Sequence, residues 1–509
     1  MRAHLLYRDR DFDLAAAPPP QAENLAVDLG LEDLWRAMAG SDRYLYEVSR
    51  RVTVASLSLP GEIRYRQEVL QDCLERPEAV AELYRLTVEA VDGERRIWGL
   101  VSRHPSGALH RALEVLELLV PIVRRLRAAA AASAFRSEGL STFSKVLQSE
   151  LDDPYLAGVE GHLKALRLRE GLLLSARLGP GNRGVGYVLR HQVAGRMSWG
   201  ERLGMAEKSQ HSFRIAPRDE AGFRALSELS DRGLNTVADA VAQAAEHVLS
   251  FMTVLRWELG FYLACLNLHQ TLMGKGAAVC WPTPTESGAF HLRCRGLYDI
   301  GLALRSEADV VGNDLEADGR QLVVVTGANS GGKSTFLRSV GLAQLLLQAG
   351  VFVGAGEFSA SPSSGVFTHF VRSEGENRGR LAEELARMSG IVDLVGRGGL
   401  LLLNESFSGT NEREGSEISR QIIRALLEGG VRVVLVTHFF DLADGFRQSP
   451  PAAALFLRAE RLADGRRTYR LRAGDPLPTA FGADLIGRLA APPGGRGSRP
   501  DKEGGEGPD

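Results

Sequence analysis

Cysteine is scarce in this chain: Cys73, Cys265, Cys280 and Cys294 are the four among 509 residues. None forms a C-x-x-C pair, and their spacing matches neither a zinc site nor a disulfide framework. Buried, reduced thiols in a cytoplasmic protein are the expectation. A surplus of charge is also missing. The formal net charge of −2 excludes a polycationic chain, so any nucleic-acid site has to be a local patch. Met1 to Leu14 alternates charged and apolar residues and lacks the apolar core of a signal peptide. No apolar stretch reads as long enough to span a bilayer, and no membrane partner is expected. What remains is ordinary globular composition, 44% hydrophobic and 24% charged, in a chain long enough for about two to four domains.

Composition and periodicity divide the chain. Residues 1–22 form an N-terminal arm and linker, stiffened by Pro18, Pro19 and Pro20. Helical patterning begins near Leu29. Leu113, Leu116, Leu119, Val120, Val123 and Leu126 share one face at a 3.6-residue period, and Pro121 predicts a kink or a split there. A second long helix is predicted from about Asn235 to Met273. Between them, Leu172–Leu178 and Gly186–Leu189 flank the turn Gly179-Pro180-Gly181-Asn182 and predict a β-hairpin. This insert, about 171–218, carries Arg177, Arg183, Arg190, Arg196 and Arg214 against few acids. It reads as a grip on a phosphate backbone or, equally, as a solvated face of an arginine-rich protein. From about residue 275 the pattern becomes α/β. Strand candidates Leu322–Val325, Val366–Phe370, Leu400–Leu403 and Val431–Val436 alternate with helices, which predicts a mostly parallel sheet up to about residue 490. The Gly-, Pro- and charge-rich stretch 491–509 predicts disorder.

The chemistry concentrates in the α/β half. Gly327-Ala328-Asn329-Ser330-Gly331-Gly332-Lys333-Ser334 reads G-x-x-x-x-G-K-S between an apolar strand run and a helical segment, the order that a phosphate-binding loop needs. Its glycines let backbone N–H groups face phosphate oxygens, and the following helix N-terminus adds partial positive charge. Lys333 would reach the β/γ-phosphates of a nucleoside triphosphate, and the Ser334 hydroxyl would ligate Mg²⁺. The run Leu400–Leu403 ends in Asn404-Glu405. There Asn404 would meet the metal through water, and Glu405 would act as general base on the attacking water. Asn404 brings no negative charge, which predicts weaker Mg²⁺ binding or slower turnover. A further strand run ends in Thr437-His438, where His438 can sense or polarise the γ-phosphate.

Thr326–Arg338, Gln348–Ala355, Phe367-Thr368, Gly409-Thr410 with Glu414-Gly415, Thr437-His438-Phe439 and Pro478–Gly482 resemble the ATPase domain of the MutS mismatch-repair family, over roughly Asn313 to Leu489. Tyr65–Leu70 is similar to the start of that family's core domain. The resemblance implies an ABC-type P-loop ATPase domain at 275–490, preceded by a helical core/lever domain at 23–274 with a small clamp-like insert. It implies a homodimer with composite sites that clamps duplex or branched DNA, mainly by its backbone, as ATP is bound and slowly hydrolysed. By the match, Gly327, Asn329, Ser330, Gly331, Gly332, Lys333, Ser334, Thr335 and Asn313 bind the nucleotide, while Glu405 and His438 carry over to hydrolysis.

Several residues depart from the family pattern. No Phe is followed by Glu two positions later, so the wedge motif that reads mismatches is missing. Gly379-Arg380 is followed by Leu381-Ala382 instead of Ser-Thr. Val310-Val311-Gly312-Asn313 stands where an adenine-stacking aromatic is expected. No extended nuclease-like region is read toward the C-terminus, so membership of the endonuclease-bearing branch is not expected. These departures keep a second function open: an ATP-regulated scaffold or switch that binds protein or ribonucleoprotein with little hydrolysis.

Overall fold

The computed structural model of the chain describes residues 1–97, 104–169, 171–190, 214–286, 290–372, 380–462 and 466–477. In chain order the helices are α1 (Ala22–Leu29), α2 (Leu31–Ala39), α3 (Arg43–Val54), α4 (Pro60–Glu75), α5 (Pro77–Arg96), α6 (Pro105–Ala132), α7 (Glu138–Glu150), α8 (Asp153–Leu166), α9 (Glu220–Gly274), α10 (Ile300–Arg305), α11 (Lys333–Gln348), α12 (Arg380–Val392), α13 (Glu412–Glu428) and α14 (Phe440–Gln448). The strands are β1 (Leu174–Leu178), β2 (Gly184–Leu189), β3 (Thr283–Pro284), β4 (Leu292–Leu297), β5 (Asn313–Glu316), β6 (Leu322–Thr326), β7 (Glu357–Ala360), β8 (Val366–Phe370), β9 (Leu400–Asn404), β10 (Arg432–Val436), β11 (Ala454–Arg461) and β12 (Arg467–Ala473). Two units result. One takes Met1–Pro19, Glu32–Gly276 and Leu346–Phe352; the other takes Pro20–Leu31, Ala277–Leu345 and Val353 onward.

The first unit is helical and is organised around α9, which runs for 55 residues and packs on α3, α5 and α6. It starts at Glu220 rather than near Asn235. Asp219 caps it by accepting from the Gly222 N–H at 2.9 Å. Phe223, Leu226 and Leu229 of its first turns are exposed. Pro121 sits inside a single uninterrupted α6, so the predicted split does not occur. An 18-residue window of α9 has a mean hydropathy of 1.3, long and apolar enough to cross a bilayer, which the sequence reading did not anticipate; 67% of it is buried, as in a core helix.

The stretch read as an N-terminal arm is strapped into this unit. Leu5 and Leu6 are fully buried. The buried Glu258 carboxylate of α9 accepts from the N–H groups of Leu5 at 2.7 Å and Phe12 at 2.9 Å. Tyr65 donates its hydroxyl to His4 O at 2.6 Å, and Arg66 donates Nε–H to Leu6 O at 3.1 Å. Phe12 stacks on Trp257 with ring centroids 5.6 Å apart. The returning segment Leu346–Phe352 is held in the same unit. Gln348 and Leu57 exchange hydrogen bonds, both 2.9 Å, and Arg66 donates a second bond to Ala349 O at 3.3 Å. Strands β1 and β2 form the predicted antiparallel hairpin, Leu174 opposite Leu189, with Gly181 at φ +70° in its turn.

The second unit is α/β. Its six-stranded sheet has the order β12-β11-β6-β10-β9-β8, parallel from β11 to β8 with β12 antiparallel at one edge. Strands β6, β8 and β10 are buried along their whole length, so they read as continuous apolar runs rather than alternating ones. Met388 and Ile391 of α12, Ile423 and Leu427 of α13, and Leu442 and Phe446 of α14 build a core with Leu401, Leu403, Val433 and Leu435. A second sheet, β3-β7-β4-β5, was not anticipated. Its strands are short, and β4 carries Arg293 and Arg295 with a register shift between Cys294 and Leu297, so no clean alternation marks it.

Candidate functional site

The parallel register brings three chain segments to one end of the sheet. Val436 of β10 pairs with Val325 of β6 on one side and with Asn404 of β9 on the other. Residues following these three strands therefore converge beyond their carboxyl ends, where open α/β sheets bind ligands. The loop between β6 and α11 begins at Gly327, whose φ is +116°. A Cβ there would stand 3.0 Å from both the Ala459 backbone nitrogen and its Cβ, so glycine meets a conformational and a steric demand together.

A cavity of about 650 Å³ opens beside this loop. Asn329, Ser330, Gly332, Lys333, Ser334 and Thr335 line it, with Glu405 from the end of β9. Asn313 lines it too, but its amide is already engaged: it donates to Tyr469 O at 3.2 Å and accepts from Leu471 N–H at 2.7 Å. Its polar atoms thus also pin β12 beside the cavity. Gly327, Gly331, Asn404 and His438 are not among the lining residues. His438 is exposed just past β10, with its ring centroid 4.6 Å from that of Phe439.

Lys333 is buried, and its Nζ donates to Gly327 O at 2.8 Å and Ala328 O at 3.1 Å. Burial pushes its pKa down, the neighbouring Glu405 carboxylate pushes it up, and Arg467 pushes it down again. The ammonium is folded onto carbonyls of its own loop, bonds that phosphate oxygens can replace. The Ser334 hydroxyl donates to Asn404 Oδ1 at 2.9 Å. With its proton committed there, the Oγ lone pairs are left for a cation. Hydroxyl, amide and carboxylate oxygens from Ser334, Asn404 and Glu405 are the donor type that Mg²⁺ takes, so these residues fit the metal with one anionic charge fewer than an aspartate would supply.

The sequence reading missed the aromatic wall. Val310 and Val311 do line the cavity, yet Tyr469 of β12 and Tyr298 line it as well. Tyr469 is 50% exposed with φ at +58°, and its carbonyl is held by Asn313. An aromatic face is therefore available to a base, supplied from a strand 156 positions beyond Asn313. The period-2 pattern of Thr468-Tyr469-Arg470-Leu471 is the signal that could have exposed it.

Of the arginines read as a backbone grip, Arg177, Arg183, Arg190 and Arg214 are exposed, and Arg190 Nε–H donates to Ser175 Oγ at 2.9 Å across the hairpin. Arg196 lies outside the described residues, as do Gly379 and the Pro478–Gly482 segment. Among the described residues no group of three or more His, Cys, Asp or Glu is placed to hold a metal ion by itself.

A family model described as MutS2 N-terminal domain matches residues 60–275, and one described as MutS domain V matches residues 323–481. The chain is 29% identical over 317 residues to a protein of Pelotomaculum thermopropionicum named endonuclease MutS2, covering 60% of this chain and 37% of that protein. It is 31% identical over 295 residues to the DNA mismatch repair protein MutS of Thermus aquaticus, covering 57% and 33%. An endonuclease MutS2 of Thermus thermophilus is 32% identical over 190 residues, covering 36% and 25%. The matches thus span between a quarter and 37% of these relatives' lengths. The helical half is similar to the MutS2 branch, from which the sequence reading had set the chain apart.

Proposed function

Because the chain belongs to the MutS family, we propose that it binds ATP with Mg²⁺ at the β6–α11 loop and hydrolyses it slowly to change its hold on DNA. The observation that carries this reading is the constellation at the sheet end: Lys333 on the loop carbonyls, Ser334 bonded to Asn404 at 2.9 Å, and Glu405 on the cavity wall. Lys333 neutralises the β/γ-phosphates, and the loop N–H groups and the start of α11 orient them. Ser334, with Asn404 acting through water, would hold the metal, which supplies charge neutralisation at the transferring phosphoryl group. Glu405 takes a proton from the attacking water, and His438 responds to the γ-phosphate from the neighbouring strand end. Gly327, Asn329, Ser330, Gly331, Gly332 and Thr335 complete the phosphate cradle. Tyr469, which lines the same cavity as Val310 and Val311, offers the base a stacking face.

Relatives are named for DNA mismatch repair and for endonuclease activity. For this chain the step we propose is DNA engagement, by a homodimer. The β1–β2 hairpin with Arg177, Arg183 and Arg190, together with Arg196 and Arg214 of the same insert, would contact phosphates as the clamp of the helical core/lever unit. The neutral Asn404 favours a second reading, a switch that binds ATP, turns it over rarely, and regulates a protein or ribonucleoprotein.

Two measurements decide. Lys333→Ala is expected to weaken ATP binding at least about tenfold through loss of a charged phosphate contact; unchanged binding removes the site. Duplex and branched-DNA affinity, with and without ATP, should fall steeply between 50 and 200 mM salt, roughly in step with the number of phosphates contacted. Charge reversal at Arg183 and Arg190 should flatten that slope. No binding at low salt, or an unaltered slope, leaves the switch reading standing.

A further inference from the structure

Immediately after β9 the backbone takes a path that residues other than glycine avoid. Glu405 has φ +53° and Phe407 has φ +62°. Left-handed conformations of this kind are strained for residues with a side chain and persist where the surroundings over-determine them. Here the surroundings are a closed set of buried polar bonds beneath the turn. The Phe407 N–H donates to the Glu384 carboxylate of α12. Ser406 Oγ lies 2.8 Å from His369 Nδ1 and 2.9 Å from His369 O, at the end of β8. His369 Nε2 lies 3.0 Å from the Glu384 carbonyl oxygen.

The proton positions follow from chemistry. A carbonyl oxygen only accepts, so Nε2 carries the hydrogen. Burial, and then the Arg387 guanidinium, push the His369 pKa down to about 4, so the ring is neutral near pH 7. Nδ1 is then an acceptor like the His369 carbonyl, and the single Ser406 hydroxyl hydrogen is shared between the two. The Phe407 ring stacks on the His369 ring, centroids 5.5 Å apart and planes 27° from parallel. His369, Glu384, Ser406 and Phe407 are all at most 6% exposed, and none lines the nucleotide cavity. Glu405, the residue that the turn carries, does line it. Its N–H is tied to Val436 O at 2.9 Å, which fixes the other side of the turn.

We propose that His369, Ser406 and Glu384 are positioning residues that hold the strained turn after β9, so that the Glu405 carboxylate stays aimed into the nucleotide cavity. This rests on the reading of Glu405 as the base for ATP hydrolysis. Without the bonds from Ser406 and Glu384 the turn relaxes toward negative φ. The first atoms to be displaced are those of the Glu405 side chain, while the phosphate loop, anchored on β6, keeps its shape. Turnover and binding therefore separate.

The test uses the full chain with magnesium-ATP for turnover and a non-hydrolysable ATP analogue for affinity. Ser406→Ala and Glu384→Ala are expected to lower kcat about tenfold or more, as misplacement of a catalytic group does, with KM and analogue Kd within about twofold. Glu384→Gln keeps an oxygen that accepts from the Phe407 N–H and should recover most of the lost kcat. Circular dichroism and thermal midpoints monitor folding, and Ser406→Ala, a single-atom deletion, carries the test if Glu384→Ala does not fold. Undiminished kcat in both alanine variants, with Glu405→Gln inactive, overturns the positioning role alone. So does a loss in which kcat, Kd and thermal midpoint fall together in Ser406→Ala. Wild-type turnover no faster than that of Glu405→Gln overturns the reading of Glu405, and the positioning role with it.

Discussion

A single atom exchange, oxygen to nitrogen, separates Asn404 from the aspartate usual at the end of such a strand. The geometry around it is intact, since Ser334 still finds an acceptor at 2.9 Å. What is lost is a full negative charge beside the metal position. Asn404→Asp restores that charge without changing volume. The expected outcome is a lower Mg²⁺ concentration for half-maximal ATP turnover and a higher kcat, each by about threefold or more for the roughly 1 kcal/mol that a charge at this range supplies. A titration of turnover against Mg²⁺ that superimposes on wild type would show that the amide is no handicap. The loop residues from Gly327 to Thr335 were legible in the sequence because a phosphate cradle is a local motif. Tyr469 and the His369–Ser406 pair were not, because each is assembled from strands far apart in the chain, and one residue of each partnership has no distinctive neighbours.

At the scale of elements, the strap formed by residues 1–12 and α9 is joined through one carboxylate. Burial pushes Glu258 up from 4.5 to about 7, and the N–H groups of Leu5 and Phe12 only partly offset this. The groups around it are Tyr65 and Tyr262 from the helices, with Asp11 from the strap itself. The folded chain holds that proton more tightly than the unfolded chain does. Its contribution to stability is therefore complete below about pH 4.5 and is lost as pH rises through about 7, a total of about 3 kcal/mol. Urea unfolding of wild type between pH 5 and 8 is expected to show this decline, and Glu258→Gln, which cannot titrate, to lack it. Parallel curves for the two chains would remove Glu258 as the cause. Element prediction succeeded where burial is uniform: Val366–Phe370 matches β8, and the β9 and β10 runs match within a residue. It failed at the short strands of the second sheet, where local pattern is weak, and at the first turns of α9.

The whole chain passes between its two units five times, since Pro20–Leu31 and Leu346–Phe352 each belong to the unit that their flanks do not. A fragment beginning at Ala277 would look like an independent ATPase domain in sequence. It would lack α1, whose buried Asp28 faces Arg387 at 3.9 Å and Arg372 at 4.0 Å. It would also uncover Ala349, Val351 and Phe352, which are at most 1% exposed. Such a fragment is expected to aggregate or to melt well below the full chain, because a half-buried arginine loses its carboxylate and three apolar residues meet water. A soluble fragment with the full-chain midpoint would refute this. The contact between Arg66 and Ala349 carries one more consequence, for synthesis. These partners are 283 positions apart. At the usual about 5–20 residues per second, a ribosome releases Arg66 on the order of 15–60 s before Ala349 exists. The helical half therefore waits, incomplete and with a guanidinium still hydrated, until the first part of the α/β half, from Ala277 to Ala349, has been translated.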